Sequence, residues 1–586
     1  MKKIINFMVI VLVLVIASGC EDFLDVTNYT SKDENSFPSN EKDANQLLVG
    51  VYSVLNVSHA QGINTYLLIS ELASDDRFGS GGNNDKSAQA IGHLLYADVN
   101  QFNGFWADRY QGISRAISTI AALQNMPEGQ VKNQKIGEAK FLRAHWYFEL
   151  VQTLGDIPLL KELPTDVSEA KESPQQVSQE EIFQLIATDL WDAYSTMPSF
   201  RFGTADYPVS GTVTKWAAAS LLARVYLFYT GFYQKTELPT ETGSITQALV
   251  VGALEDVINN SGHDLLPDFR SLWPYSNSVS KKDYPFVQDA PDWVEGNKNK
   301  EVIFAIKMNS LGDWGTTVGY SNSNALFFGI RTAGNYDLKN VFPFGQGWGF
   351  GTVNPKMWDK WPSNDPRRRA SIGTRDLDAT GSWDWGLDSW VEETGMWQKK
   401  IIATTAYGKG GNQNQLYNSF WSDPAYGNRS DDDFQLGHGA DLIQIRFADV
   451  LLMHSELTKS VDGINKVRRR ASASAKNPAN LADLGAYSLE ALQEERRWEL
   501  AFEGLRWGDI RRWRIAADVL DEMYDAPIHN MGIATTMKRQ KGGAKARYEA
   551  TKGFFNKPEI QLNLSNGRLE QNTGWTTAAS YDGWVD

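Results

Sequence analysis

What most constrains this chain is a helical spacing of apolar residues that recurs, segment after segment, through its first third. Residues 41–57 place Leu47, Leu48, Val51, Val54 and Leu55 along one face. Residues 104–126 repeat the spacing with Trp106, Tyr110, Ile113, Ile117, Ile120 and Leu123, and residues 131–154 with Ile136, Ala139, Leu142, Trp146 and Leu150. Apolar positions three or four apart fill one stripe of a helix and fall out of phase with a strand, so each segment is predicted helical. Gly155 and Pro158 end the third helix. Ser178 and Glu181 form a capping box before Ile182, Leu185, Ile186 and Leu190. Residues 213–230, with Ala217, Ala218, Ala219 and Ala223, predict a further helix that neighbours can approach closely.

Short turns join these helices, and small residues alternate with large ones, the pattern of a degenerate tetratricopeptide-like repeat. From about Ser261 to Gly439 the periodicity is lost. Gly, Asn, Asp and Trp dominate there, including Trp314, Trp348, Trp358, Trp361, Trp383, Trp385, Trp390, Trp397 and Trp421. Only Glu301 to Met308 alternates as a strand does. Helical spacing returns at 441–457, 460–471 and 488–514. The predicted fold is therefore mainly α: a tetratricopeptide-like helical scaffold split by a large, loop-rich, partly β insertion that carries the ligand site. Long irregular segments inside compact proteins are usually functional.

The first residues fix the compartment. Lys2 and Lys3 precede the apolar run 4–16, which is too short to cross a bilayer and reads as a secretory signal peptide over residues 1–19. Cys20, the only cysteine, follows Ala17-Ser18-Gly19. This resembles the lipobox of bacterial lipoproteins, although Ala17 stands where leucine is commoner. The resemblance implies a lipidated Cys20 as the mature N-terminus and a stable membrane anchor. A lone cysteine permits neither an internal disulfide nor a Cys-based zinc site. The formal charge of −14 repels phosphate backbones and argues against nucleic acid as a partner.

Five segments resemble the SusD/RagB family of outer-membrane nutrient-binding lipoproteins. They are Cys20 to Asp25 (CEDFLD), Glu138 to Leu160 (EAKFLRAHWYFELVQTLGDIPLL) and Asp441 to Glu456 (DLIQIRFADVLLMHSE), then Glu494 to Trp513 (EERRWELAFEGLRWGDIRRW) and Lys557 to Trp575 (KPEIQLNLSNGRLEQNTGW). Gly508 departs from the family pattern. The resemblance implies a cell-surface, lipid-anchored protein that captures oligosaccharides or polysaccharides for a SusC-like TonB-dependent transporter and performs no chemistry on them. It also implies a division into residues 20–260, an insertion at 261–440, and a C-terminal helical region with tail at 441–586. In the charged segment, Arg496, Arg497, Glu499, Glu503 and Arg506 lie three or four apart, spacing that on one helix predicts ion pairs locking the scaffold rather than a ligand site.

Family members hold ligands on loops outside the repeats, which directs attention to two regions here. Ser74 to Asp85 offers Asp75, Asp76, Arg77, Phe78, Asn83 and Asn84. The middle region offers Trp314, Tyr320, Phe328, Tyr336 and Trp348, the last within GQGWGFG. A sugar needs such a mixture, a flat aromatic surface for its apolar face and directed polar groups for its hydroxyls. Asp376, Asp378 and Thr380 have the first spacings of a calcium loop, but Leu387 stands where its bidentate Glu belongs, so no cofactor is expected beyond a structural calcium there. Rival readings are a glycoside hydrolase using Asp75/Asp76 or Asp431/Asp432/Asp433, a peptide-binding member of the same family, and a protein-interaction scaffold.

Overall fold

The computed structural model describes residues 37–582 apart from 61–63, 165–174, 311–320, 332–337, 409–411, 431 and 475–480. The N-terminal helices are α1 (Glu41–Ala60), α2 (Tyr66–Leu72), α3 (Lys86–Gly92), α4 (Asn103–Leu123), α5 (Gln130–Leu154), α6 (Gln179–Thr196), α7 (Lys215–Tyr233) and α8 (Gln247–Asn260). The periodic segments are thus helices, and the Ser178 hydroxyl caps α6 by accepting from the Glu181 N–H. Successive long helices pack on one another, α1 on α4, α4 on α5, α5 on α6 and α6 on α7, the stacked-pair arrangement of a helical repeat.

The central helix is α5, buried on every face along its C-terminal half. Gly112 on α4 makes this possible, because a Cβ there would lie 2.7 Å from the Trp146 indole, itself fully buried. The polar residues of α5 are partnered inside the stack. Arg143 grips Asp189 of α6 through Nε (2.7 Å) and Nη2 (2.8 Å), and Glu138 accepts from the Tyr52 hydroxyl at 2.8 Å. A buried polar group without such a partner would destabilise the helix that carries it.

The insertion follows α8. Among its described residues no helix exceeds six residues, and its strands pair only two at a time. The strands used below are β1 (Val302–Ile306), β2 (Ile330–Arg331), β3 (Gln346–Gly347), β4 (Ile372–Thr374) and β5 (Met396–Gln398). The insertion has its own core, in which Phe269, Trp273, Tyr275, Phe344, Trp390 and Trp397 pack together. Several of its tryptophans serve packing: Trp273, Trp361, Trp390, Trp397 and Trp421 are buried, and Trp361 stacks on Trp498 at 4.8 Å.

Two predicted helices are corrected. The segment from 441 begins as a strand, β6 (Leu442–Arg446), and turns helical only at α9 (Phe447–Thr458). Its apolar residues read equally as helix or strand over so short a run, and pairing with the edge of β1 decides for strand. After α10 (Asp462–Ala473) the segment 488–514 is two helices, α11 (Leu489–Glu499) and α12 (Arg506–Arg512). Phe502 and Gly504 between them take positive φ values of 65° and 76°, which a helix cannot accommodate. The hairpin β7 (Pro527–Asn530) and β8 (Ile533–Thr536) follows.

The break turns Glu503 toward β6 while Glu499 remains on α11. Arg446 of β6 bonds Glu301 (2.9 Å), Glu499 (2.6 Å) and Glu503 (2.7 Å), and Arg367 reaches Glu499 at 2.9 Å. Their side chains are at most 5% exposed. The charged motif is thus a structural network, as its spacing predicts, but it is assembled by several elements rather than laddered along one helix. Burial alone would raise the Glu499 pKa; Arg470, Arg446 and Arg367 together hold it well below the usual carboxylate range.

Candidate functional site

The first predicted ligand loop divides in two. Asp75, Asp76, Arg77 and Phe78 are at most 5% exposed and cannot meet a ligand at the surface, which corrects their reading as contacts. Arg506 holds Asp75 through Nε (2.8 Å) and Nη2 (2.9 Å), and Arg497 bonds Asp75 and Asp76. Arg77 donates to the Gly351 carbonyl at 2.7 Å and lies 3.8 Å over the ring of Phe328, which is itself buried. These residues clamp the segment after α2 to α11, α12 and the insertion. Burial pushes the Asp75 carboxyl up, but Arg497 and Arg506 outweigh it and keep it ionised far below the ordinary range. In sequence the segment looks like a polar turn because its partners lie hundreds of positions away.

The loop tip behaves differently. Gly81 takes φ 81°, Asn83 is half-buried and Asn84 is exposed. The Asn83 N–H donates to the Ser389 carbonyl at 3.0 Å, and Asp85 accepts from the Gly82 N–H at 2.6 Å. From the insertion, β2 and β3 run parallel with Arg331 opposite Gly347, and the next residue is Trp348. Arg331 joins the two loops. Its Nη1 donates to the Trp348 carbonyl (3.0 Å), its Nε to the Asp388 carbonyl (2.9 Å), and its guanidinium pairs with Asp388 (2.8 Å) and Asp85 (3.5 Å).

Trp348 is half-buried, its ring set against Phe327 at 4.9 Å and 58°. The glycines around it serve close approach: a Cβ on Gly349 (φ 71°) would lie 2.6 Å from the Arg331 Cβ and 2.8 Å from the Trp390 indole. Arg331 thus ties the Trp348 backbone to the carboxylates of Asp85 and Asp388, at a rim that also carries the loop-tip amides Asn83 and Asn84. Trp348, Asn83 and Asn84 are expected from the sequence, whereas Arg331, Asp85 and Asp388 are not singled out. Asp388 sits in the left-handed region at φ 51°, a turn with no distinctive sequence signature. Trp314, Tyr320 and Tyr336 lie outside the described residues, as does Cys20.

The calcium spacing is also corrected. Asp376 and Asp378 lie on a short helix, Arg375–Asp378, rather than in a loop. Buried Asp378 meets Lys399 (3.0 Å) and Arg369 (3.1 Å) and accepts from the Tyr284 hydroxyl (2.6 Å) and the Thr374 N–H (3.0 Å). Asp376 pairs with Arg375 at the surface, and the Thr380 N–H donates to the Asn340 carbonyl. Oxygens committed to two cations and two other donors do not suit a calcium ion. The acidic pairs of the hydrolase reading are engaged as well. Asp75 and Asp76 are locked by arginines, Asp432 accepts from the Asn418 N–H of a preceding segment, and Asp433 accepts from the Gln435 N–H of its own loop. Asp431 lies outside the described residues.

Comparison with known proteins now decides the family. A family model described as "Starch-binding associating with outer membrane" matches residues 22–227, and the SusD family model matches residues 300–575. The chain belongs to the SusD/RagB family. Among curated relatives of this family, SusD-like protein P2 of Formosa agariphila is 25% identical over 542 residues, covering 89% of this chain and 92% of its own. Surface glycan-binding protein A from Bacteroides fluxus has a similar structure, with TM-score 0.67 and 22% identity over 92% of this chain and 100% of its own. The corresponding protein from Bacteroides thetaiotaomicron in complex with laminarihexaose gives TM-score 0.64 and 17% identity, over 91% and 99% respectively. At such identities the structural likeness speaks for the SusD fold, whose helical repeats match those described above. Among the described residues no helix is long and apolar enough to cross a membrane.

Proposed function

We propose that this protein is a lipid-anchored glycan-binding protein of the outer-membrane surface that captures oligosaccharides and passes them to a SusC-like TonB-dependent transporter. The observation that carries the reading is half-buried Trp348, whose backbone Arg331 ties to Asp85 and Asp388 beside the loop tip at Asn83 and Asn84. An indole gives a pyranose ring an apolar platform, and the fixed carboxylates and guanidinium direct hydrogen bonds to its hydroxyls. Arg331 is held on three sides, so the polar groups are set in place before a ligand arrives, which limits the entropy lost on binding. The related protein solved with laminarihexaose supports the same ligand class. Anchoring through Cys20 and transfer to a transporter rest on the N-terminal motif and on the family.

The reading is tested by titrating a soluble form starting after Cys20 with laminarihexaose and a broad panel of other oligosaccharides in a calorimeter, with reducing ends assayed in parallel. Saturable binding to a panel member, no released sugar, and loss of that binding in Trp348→Ala are expected. Binding of peptides but no glycan, hydrolysis of a glycan, or full affinity in Trp348→Ala would overturn it.

A further inference from the structure

Away from the rim, three metal-ligating side chains converge inside the helical stack. His59 ends α1, and His145 and Glu149 lie one turn apart on α5, so their side chains share a face. All three are buried, and their ligand atoms lie within 4.8 Å of one another. His59 Nε2 is 2.7 Å from Glu149 Oε1, and His145 Nε2 is 3.4 Å from each of these atoms.

The surrounding hydrogen bonds fix what these atoms can do. The Ser58 hydroxyl donates to the Val54 carbonyl at 2.8 Å, so toward the His59 ring its oxygen can only accept. His59 Nδ1 faces that oxygen at 2.8 Å and the Leu55 carbonyl at 3.0 Å, two acceptors, and must therefore carry a proton. In a neutral ring Nε2 then presents a lone pair toward a carboxylate oxygen, which is also an acceptor. A cation has to sit between them. A proton would join His59 to Glu149 but leave His145 Nε2 at 3.4 Å from both, outside good hydrogen-bond range. A metal ion uses all three. Tetrahedral zinc with bonds of 2.0–2.2 Å separates its ligands by about 3.3 Å, which two of the three distances already approach.

We propose that His59, His145 and Glu149 bind a divalent transition metal of the zinc type, joining α1 to α5. Two of the three ligands have the outer contacts that metal sites use. Nδ1 of His59 is oriented by the Leu55 carbonyl, and Arg109 holds the second Glu149 oxygen at 2.9 Å, leaving Oε1 free to ligate. His145 and Glu149 also line an open pocket, which offers an entry path to the site. Three further arginines line that cavity, and each has its own carboxylate: Arg224 pairs with Asp449, Arg496 with Asp509 and Arg512 with Glu456. The incoming charge therefore does not meet an uncompensated positive field.

The test uses the mature protein stripped with a chelator and titrated with cobalt(II), then with zinc. One equivalent of cobalt with visible d–d bands, displaced by one equivalent of zinc, is expected, and zinc should raise the thermal midpoint. His145→Leu, which conserves bulk but cannot ligate, should weaken this binding by roughly 100-fold or more. Should that variant fail to fold, X-ray absorption of the zinc-loaded wild type decides, with two imidazoles expected in the first shell. No stoichiometric uptake, unchanged uptake by His145→Leu, or a zinc shell without imidazole would each overturn the site and leave His59 and Glu149 sharing a proton.

Discussion

Asp75 and Arg506 lie 431 positions apart and meet in a two-point ion pair, with Nε to Oδ1 at 2.8 Å and Nη2 to Oδ2 at 2.9 Å. The pair is buried, and Arg497 closes it from the other side by bonding Asp75 and Asp76. The segment leading to the candidate rim is thus held by the C-terminal part of the chain.

Removing one member leaves a buried charge without its partner. Arg506→Ala should lower the unfolding free energy by about 3–5 kcal/mol, read from urea denaturation. Arg506→Lys, which cannot grip both oxygens, should fall between. A loss below about 1 kcal/mol for Arg506→Ala would mean that the pair behaves like a surface bridge.

Arg331 is expected to act on binding more than on stability. Arg331→Ala removes the group that ties Trp348 to Asp388 and Asp85, and glycan affinity should drop by roughly tenfold, the equivalent of one hydrogen bond to a charged group. Asp388→Asn keeps the shape and should cost less. Calorimetric titration beside a thermal melt separates the two effects; a collapse of the melt with unchanged affinity would contradict the assignment.

Glu392 gives the fold a pH dependence. Burial pushes its carboxyl up from the ordinary 4.5 to about 7, against the opposing N–H groups of Ser80 and Gly79, and one of its oxygens has no hydrogen-bond partner. Its folded pKa exceeds its unfolded one, so its contribution is present in full below about 4.5 and is lost as pH rises through 7. Glu393, likewise raised to about 7 by burial, adds in the same direction. Glu392→Gln should flatten stability across this window and exceed the wild type by about 1–3 kcal/mol at pH 8. Denaturation midpoints measured from pH 4.5 to 8 check the sign; a wild type that gains stability relative to Glu392→Gln on going up in pH would refute it.

Gly112 is a packing requirement. A side chain there meets the Trp146 indole at 2.7 Å, and neither helix can yield without disturbing the centre of the stack. Gly112→Val should destabilise by about 1–3 kcal/mol or more, seen as a lower thermal midpoint. A tolerated valine would show that α4 and α5 are less closely apposed than described.

The helical scaffold was legible from residue order because its signal is local. An apolar side chain every third or fourth position specifies a buried stripe whatever lies beyond it, and α1, α4, α5, α6 and α7 follow from that spacing. The same logic was insufficient at 442–446, where β1 supplies a strand partner, and at 500–504, where positive φ at Phe502 and Gly504 ends a helix that side-chain spacing alone would extend. The candidate rim was legible only in Trp348, Asn83 and Asn84. Asp75 and Arg77 carry the same chemistry as Asp85 and Arg331, yet the first two are interior and the last two border the rim. A charge is held inside at low cost when an opposite charge waits there; Glu71 is local to Arg77, but Arg497 and Arg506, which hold Asp75, come from the distant C-terminal helices. Tertiary structure alone could decide which charges lock the interior of the scaffold and which stay at its surface.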